Sequence, residues 1–334
     1  MDLIKKIREN KIRIKSKYII YLSYFLIFCA VSFGFFSRVY SVFHYEHFWG
    51  DQSRDAFVYD QMRSGNWPNL GPGSSVGSYS LSPIYYYLNF VFSFGSTDPS
   101  WQAFPNALFS FLSIPLLIYF ILLTVNGFRS ARSWLVASFC GVWWSVFFND
   151  IKLANAEWNP NSIPFFFLLF VIISKYCLEF YTEDPSKRNF KANIKLYSAW
   201  ALLGFVVAIL TGLHSVTLFV TPIIFTGICV YFWWKTRSWA FLLGWLSLVL
   251  LHVGYIQGEI ARGWQNTNNL IKLVTAKPEQ THTILQRINR GIFNYIELGD
   301  LSYFTHTFAG IMAAFFLTLI MGLAILKYKG SKVV

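Results

Sequence analysis

The sequence predicts an all-α polytopic membrane protein, a bundle of about eight transmembrane helices with short interfacial helices in its first outer loop. Three observations carry this. Charged residues make up 13% of the 334 positions, about half the share of a soluble domain. Hydrophobic residues reach 55% and aromatic residues 20%, the balance of a chain that faces lipid and sets rings at its interfaces. Apolar runs recur at close to the ~20 residues that a bilayer core demands of a helix. Residues 1–334 read as one transmembrane domain, without an internal repeat or an appended soluble domain.

The elements follow in chain order. The first 17 residues are basic and lead into a full-length apolar run at 18–38. No small-residue cleavage site follows, so this end reads as an anchor rather than a cleaved signal. Further spans are expected at 104–125, 133–149, 162–181, 196–213, 215–234, 238–256 and 306–327. The stretch 196–234 is too long for one crossing and is divided at Gly212–Ser215.

Charge sets the expected orientation. With the N-terminus inside, the inner segments 1–17, 126–132, 182–195, 235–237 and 327–334 hold 18 Lys and Arg, and the outer segments hold nine. Every inner loop obeys the positive-inside rule. The net charge of +12 is thereby a topological signal, and no nucleic-acid partner is expected. Both termini are expected in the cytoplasm, in a multi-pass protein of the plasma (inner) membrane. The four cysteines, Cys29, Cys140, Cys177 and Cys229, fall inside apolar runs without a Cys-x-x-Cys pair, so neither a disulfide framework nor a zinc site is indicated.

Two outer segments are long, 39–103 and 257–305, and long connections between tightly turning helices are commonly functional. In the first, a helix over 51–64 places Asp51, Arg54 and Asp55 on one face at i, i+3 and i+4, with Arg63 further along. The bland reading is a solvated helix with an internal ion pair. Next comes Gly71-Pro72-Gly73-Ser74-Ser75-Val76-Gly77, whose backbone amides can turn toward an anion. It is neither a P-loop nor a dinucleotide fingerprint. Ser82 to Leu88 is aromatic and too short to span, so it is expected along the interface, with Tyr85 and Tyr86 on it.

A second outer stretch runs from Asn149-Asp150 to Glu157-Trp158-Asn159-Pro160-Asn161. Pro160 and Pro164 bracket a helix start, with Asn161 or Ser162 as its N-cap. His214 marks the break between two spans and is more simply a helix-end residue than a ligand. No His-Glu-x-x-His, Asp-x-Asp or Gly-x-Ser-x-Gly occurs.

The blocks Asp51-Gln52-Ser53-Arg54-Asp55, Gly71 to Gly77, Pro83 to Leu88 and Asp98-Pro99 resemble the first outer loop of bacterial GT-C membrane glycosyltransferases. These are the relatives of dolichyl-phosphate-mannose protein mannosyltransferases and of the lipid A aminoarabinose transferase. Trp158-Asn159-Pro160-Asn161 with Pro164, Gly212-Leu213-His214, and Glu259 through Asn266-Thr267 are similar to later blocks of that family, in the same order. The resemblance spans about residues 18–275.

It implies an inverting glycosyltransferase that takes a sugar from a polyprenyl-phosphate donor on the exoplasmic face. The acceptor is a lipid, glycan or protein hydroxyl, and membrane lipids surround the chain. Asp51 maps onto the catalytic base. Arg54, Arg63, Arg262 and the amides around Ser74 and Ser75 are candidates for the donor phosphate. Tyr85 and Tyr86 are candidates for the prenyl chain or sugar. Asp55, Glu157, Asn159, His214 and Glu259 complete the expected substrate-binding set. No cofactor is implied, and the lack of Asp-x-Asp favours a metal-free mechanism. The chain departs from the pattern at Ser82-Pro83, where several relatives carry Lys-Pro, and in stopping soon after 327, where relatives continue. A catalytically silent homologue, serving as a partner subunit or lipid-binding scaffold, is therefore the second expectation. A transporter ranks third, because the acids gather at the outer surface rather than at mid-membrane.

Overall fold

The computed structural model describes residues 2–46, 48, 50–74, 78–125, 127–179 and 190–275. The expected span at 306–327, residues 276–305 of the second long loop, and Ser75 lie outside the described residues.

All regular elements among the described residues are helical. Helix α1 (Asp2–Gly34) continues through a π-turn at Phe35–Tyr40 and a 3-10 turn at Ser41–Phe43. Two short helices follow, α2 (Gly50–Arg63) and α3 (Ile84–Phe92). Then come α4 (Pro99–Thr124), α5 (Ala131–Ser145), α6 (Phe148–Ala154) and α7 (Ile163–Glu179), the last entered by a 3-10 turn at Asn159–Ser162. The described chain ends with α8 (Phe190–Leu213), α9 (Ser215–Thr236), α10 (Leu242–Ala261) and α11 (Gln265–Thr275).

Six of these helical stretches are long and apolar enough to cross a membrane, and seven if α5 and α6 form one broken span. They match the expected crossings up to residue 256. The span expected at 133–149 departs from a straight rod: α5 and α6 meet at 56°. The division between α8 and α9 falls at His214.

The described chain folds as two compact units, residues 2–38 with 117–153 and residues 39–116 with 154–275. In the first, α1 packs along α5. Arg38 is fully buried there. Its guanidinium binds Asp150 Oδ2 at 2.9–3.0 Å and donates to the carbonyls of Trp144 and Ser145, both at 2.9 Å. Those carbonyls belong to the last turn of α5, where the regular helical donors run out, although the Trp144 carbonyl also accepts from Phe147 N at 3.2 Å. A cation at that end also complements the helix dipole. One side chain from the π-turn that follows α1 thus helps to satisfy the break before α6.

The second unit is built around α8, which packs against α7, α9, α10 and α3. Trp200, Leu203, Val207, Leu210 and Leu213 are buried at its centre. A Cβ on Gly204 would overlap the carbonyl of Gly244, so α8 and α10 can cross this closely only with glycine at 204, and a Cβ on Gly244 would press on the Phe225 ring and the Trp200 carbonyl. Helices α2 and α3 join the end of this core through Tyr59, Met62, Ile84, Tyr85 and Tyr86.

Candidate functional site

The polar groups of the second unit collect where α2, α3, α4 and the segment before α7 meet. Helix α2 contributes its graded acidic face. Arg54 Nη1 lies 2.9 Å from Asp51 Oδ1, and Arg54 Nε and Nη2 lie 2.8 and 2.7 Å from Asp55 Oδ1. The side chain of Asp51 is 61% exposed, that of Arg54 44% and that of Asp55 4%. One arginine thus joins a surface carboxylate to a buried one. Tyr86 of α3 donates to the same Asp55 oxygen at 2.9 Å. Burial, opposed by Arg54 and the Tyr86 hydroxyl, lifts the Asp55 carboxyl above its ordinary range. Burial lowers Arg54, but Asp55 and its other neighbours outweigh it and hold the guanidinium above its ordinary value.

Glu157 lies deeper. Its Oε1 accepts from the Tyr59 hydroxyl of α2, from Asn89 Nδ2 of α3 at 2.9 Å and from the Tyr85 hydroxyl at 3.4 Å. Its backbone carbonyl accepts from Gln52 Nε2 of α2. Its Oε2 is buried and has no partner among the described residues. Burial, and then the like charge of Asp55, push its carboxyl well above the usual range. Tyr59 and Tyr85 are raised by burial and by Glu157, and Tyr86 by burial and by Asp55.

The segment carrying Glu157 is held on both sides. Asn106 of α4 donates to the carbonyls of Ala156 and Trp158 at 3.0 and 3.1 Å and accepts from Ser162 Oγ at 2.6 Å. Asn161 Nδ2 donates to Ala156. The amide and hydroxyl expected to cap α7 therefore tie down its entry. Asn159 Nδ2 reaches the carbonyl of Leu213 beside His214. His214 is the N-cap of α9, its Nδ1 accepting from Val216 N at 3.2 Å. The Asp98-Pro99 block is likewise a helix start, with Asp98 Oδ1 accepting from Ser100 and Trp101 amides.

A second polar group gathers at the end of α10. Arg262 Nη1 donates to Asn69 Oδ1 at 3.0 Å, and Nη2 lies 3.4 Å from Glu259 Oε1. Glu259 Oε2 accepts from the amide and hydroxyl of Thr267, each at 2.7 Å, so it caps the first turn of α11. Asn266 bonds both the amide and the carbonyl of Ser80, and Asn269 donates to Ser78. The glycine-rich segment closes on itself through Gly71 N to Leu81 and Ser74 N to Tyr79. A Cβ at Gly71 would collide with Ser82. Two of the amides expected to face an anion are thus engaged within the loop. Arg63 is exposed in the last turn of α2.

The structure brings Asp51, Arg54, Asp55, Tyr85, Tyr86 and Glu157 together as two adjoining hydrogen-bonded groups, Asp51 with Arg54, Asp55 and Tyr86, and Glu157 with Tyr59, Tyr85 and Asn89, which meet through the rings of Tyr59, Tyr85 and Tyr86. Glu259 and Arg262 stand in the α10–α11 group, and Asn159 meets the α8–α9 break. Tyr85 and Tyr86 face inward, at 1% and 3% exposure, rather than out along an interface. Sequence reasoning missed Tyr59, Asn89 and Asn69, and it named Gln52 and Asn266 only within their sequence blocks, without a site role. Asn89 had a legible signal, the one amide in the apolar run of α3. Tyr59 stands at i+4 from Asp55, on the charged face. Among the described residues no three His, Cys, Asp or Glu side chains are grouped to hold a metal. Comparison of the chain with protein-family models, with curated proteins and with solved structures finds no match.

Proposed function

We propose that this chain is a GT-C-type inverting glycosyltransferase, moving a sugar from a polyprenyl-phosphate donor to an acceptor hydroxyl at the exoplasmic face of the plasma membrane. One observation carries the reading. Of the three carboxyl groups in the network, Asp51 alone is at the surface, and a fixed guanidinium 2.9 Å away steadies it. An accessible carboxylate beside a cation, on a helix anchored by buried tyrosines, suits a general base. Asp51 removes the acceptor proton as its oxygen attacks the anomeric carbon, and the lipid phosphate leaves from the opposite face. Such a base contributes roughly 10²–10⁴-fold. The leaving phosphate calls for cationic donors, and Arg54, Arg63 and Arg262 are the candidates. Asp55 and Glu157 orient rather than react.

The test uses purified protein in nanodiscs, a panel of polyprenyl-phosphate sugars and a membrane-lipid acceptor fraction. Release of polyprenyl phosphate is expected from the wild type, falling at least about 10²-fold in Asp51→Asn. A specific observation favours the second reading, a silent scaffold: Arg54 and Arg262 already hold acidic or amide partners within the chain. Absence of release with every donor, from folded protein, would establish that reading instead.

A further inference from the structure

Glu157 is 1% exposed and sits among polar neighbours that carry no compensating charge. From α2 it meets the hydroxyl of Tyr59, the amide of Gln52 through its own backbone, and the like charge of Asp55. From α3 it meets Tyr85 and Asn89, while Tyr86 turns to Asp55. From α4, Asn106 binds the peptide groups on either side of it, and the Gln102 carbonyl shares the Asn89 amide. Among the described residues no Lys, Arg or His is paired with Glu157, and Arg54 is occupied by Asp51 and Asp55. All three donors converge on Oε1, leaving Oε2 buried and without a partner among the described residues.

A carboxylate taken out of water without a cation is costly, and the group takes up a proton instead. The asymmetry suits a neutral acid: Oε1 is the carbonyl oxygen that accepts, and Oε2 bears the hydrogen. We infer that Glu157 is a protonated, uncharged pin that joins α2 and α3 to the segment before α7, and so positions Asp51 and Arg54. Glu157 is a positioning residue in this role. Loss of its proton places a second negative charge beside Asp55 and loosens α2.

The sign follows from the neutral form being favoured in the folded state. The contribution is fully present below the ordinary glutamate value of 4.5 and is lost as pH rises through the higher folded value. Asp55 is raised from 3.8 and acts in the same direction, so some slope remains when Glu157 is replaced. The proton and the pin belong to a scaffold as much as to an enzyme, so the test needs no sugar donor.

Protein in nanodiscs is titrated by infrared spectroscopy, following the carbonyl band of protonated carboxyl groups, and its thermal midpoint is measured over the same pH range. The wild type is expected to show at about pH 7 a protonated-carboxyl band that Glu157→Gln lacks, where an ordinary glutamate is ionised. Glu157→Gln keeps the acceptor and the neutral charge, so its midpoint should match the wild type at acid pH and decline less toward alkaline pH. Glu157→Ala should be less stable throughout. Identical carboxyl spectra for wild type and Glu157→Gln at about pH 7 would mean that Glu157 is ionised, which overturns the inference. So would a Glu157→Gln protein as unstable as Glu157→Ala, because an isostere of a neutral acid must hold the same network.

Discussion

Arg38 and Asp150, 112 positions apart, show what one buried pair does for a broken helix. The guanidinium is wholly enclosed and satisfies both the carboxylate and the end of α5. Removing one partner of such a pair leaves an uncompensated charge and costs about 3–5 kcal/mol. Asp150→Ala should therefore lower the thermal midpoint sharply. Arg38→Met with Asp150→Leu should recover much of the loss, because two apolar groups leave no charge stranded. A double variant no better than Asp150→Ala would show that the pair is needed for the α5 carbonyls as well. At this scale the sequence was partly legible. The i, i+3, i+4 spacing placed Asp51, Arg54 and Asp55 together, because helical spacing is local. It could not pair Arg38 with Asp150, or Asn89 with Glu157, because no local rule joins residues brought together by tertiary packing.

At the scale of elements, apolar length carried most of the information, and what it hid was shape. A run at 133–149 reads as one span whether straight or bent at 56°. The carbonyls at the bend take donors from Arg38, in the π-turn after α1 and outside the run. The aromatic run of α3 reads as interfacial until Glu157 and Asp55 supply buried partners for its hydroxyls. Glycine spacing did not disclose the α8–α10 crossing either. There Gly204→Ala should destabilise by about 1–3 kcal/mol or more, since the obstructing atoms are the backbone of Gly244 rather than a movable side chain. Gly227 in α9 is the control. A Cβ there meets nothing within 4 Å, so Gly227→Ala should gain up to about 1 kcal/mol from helix propensity alone. Equal effects at both positions, in thermal melts of detergent-solubilised protein, would remove the close crossing as the cause.

For the whole molecule, charge distribution and aromatic placement bear on the same proposal, that α2 faces outward. The turn after α9 carries Lys235 over the Trp234 ring at 4.4 Å and Arg237 over Trp233 at 4.9 Å. Basic residues on interfacial tryptophans mark the cytoplasmic edge of a span. Arg129 in the loop before α5 and Arg132 in the first turn of α5 add two arginines. Under the proposed topology, with the bent pair counted once, successive loops alternate sides, and Asp51 is expected on the opposite side of the membrane from Arg132 and Lys235. Impermeant thiol labelling of intact cells checks this. The four native cysteines lie within helices and are first replaced by alanine. Single cysteines are then placed at Asp60, Arg132 and Lys235, all exposed. Asp60→Cys should react in intact cells, and Arg132→Cys and Lys235→Cys only after permeabilisation. The inverse pattern would put the acidic face of α2 in the cytoplasm and defeat an exoplasmic reaction at Asp51. Labelling of Asp60→Cys and Arg132→Cys from the same side would mean that α4 does not cross, because it is the one candidate span between them among the described residues.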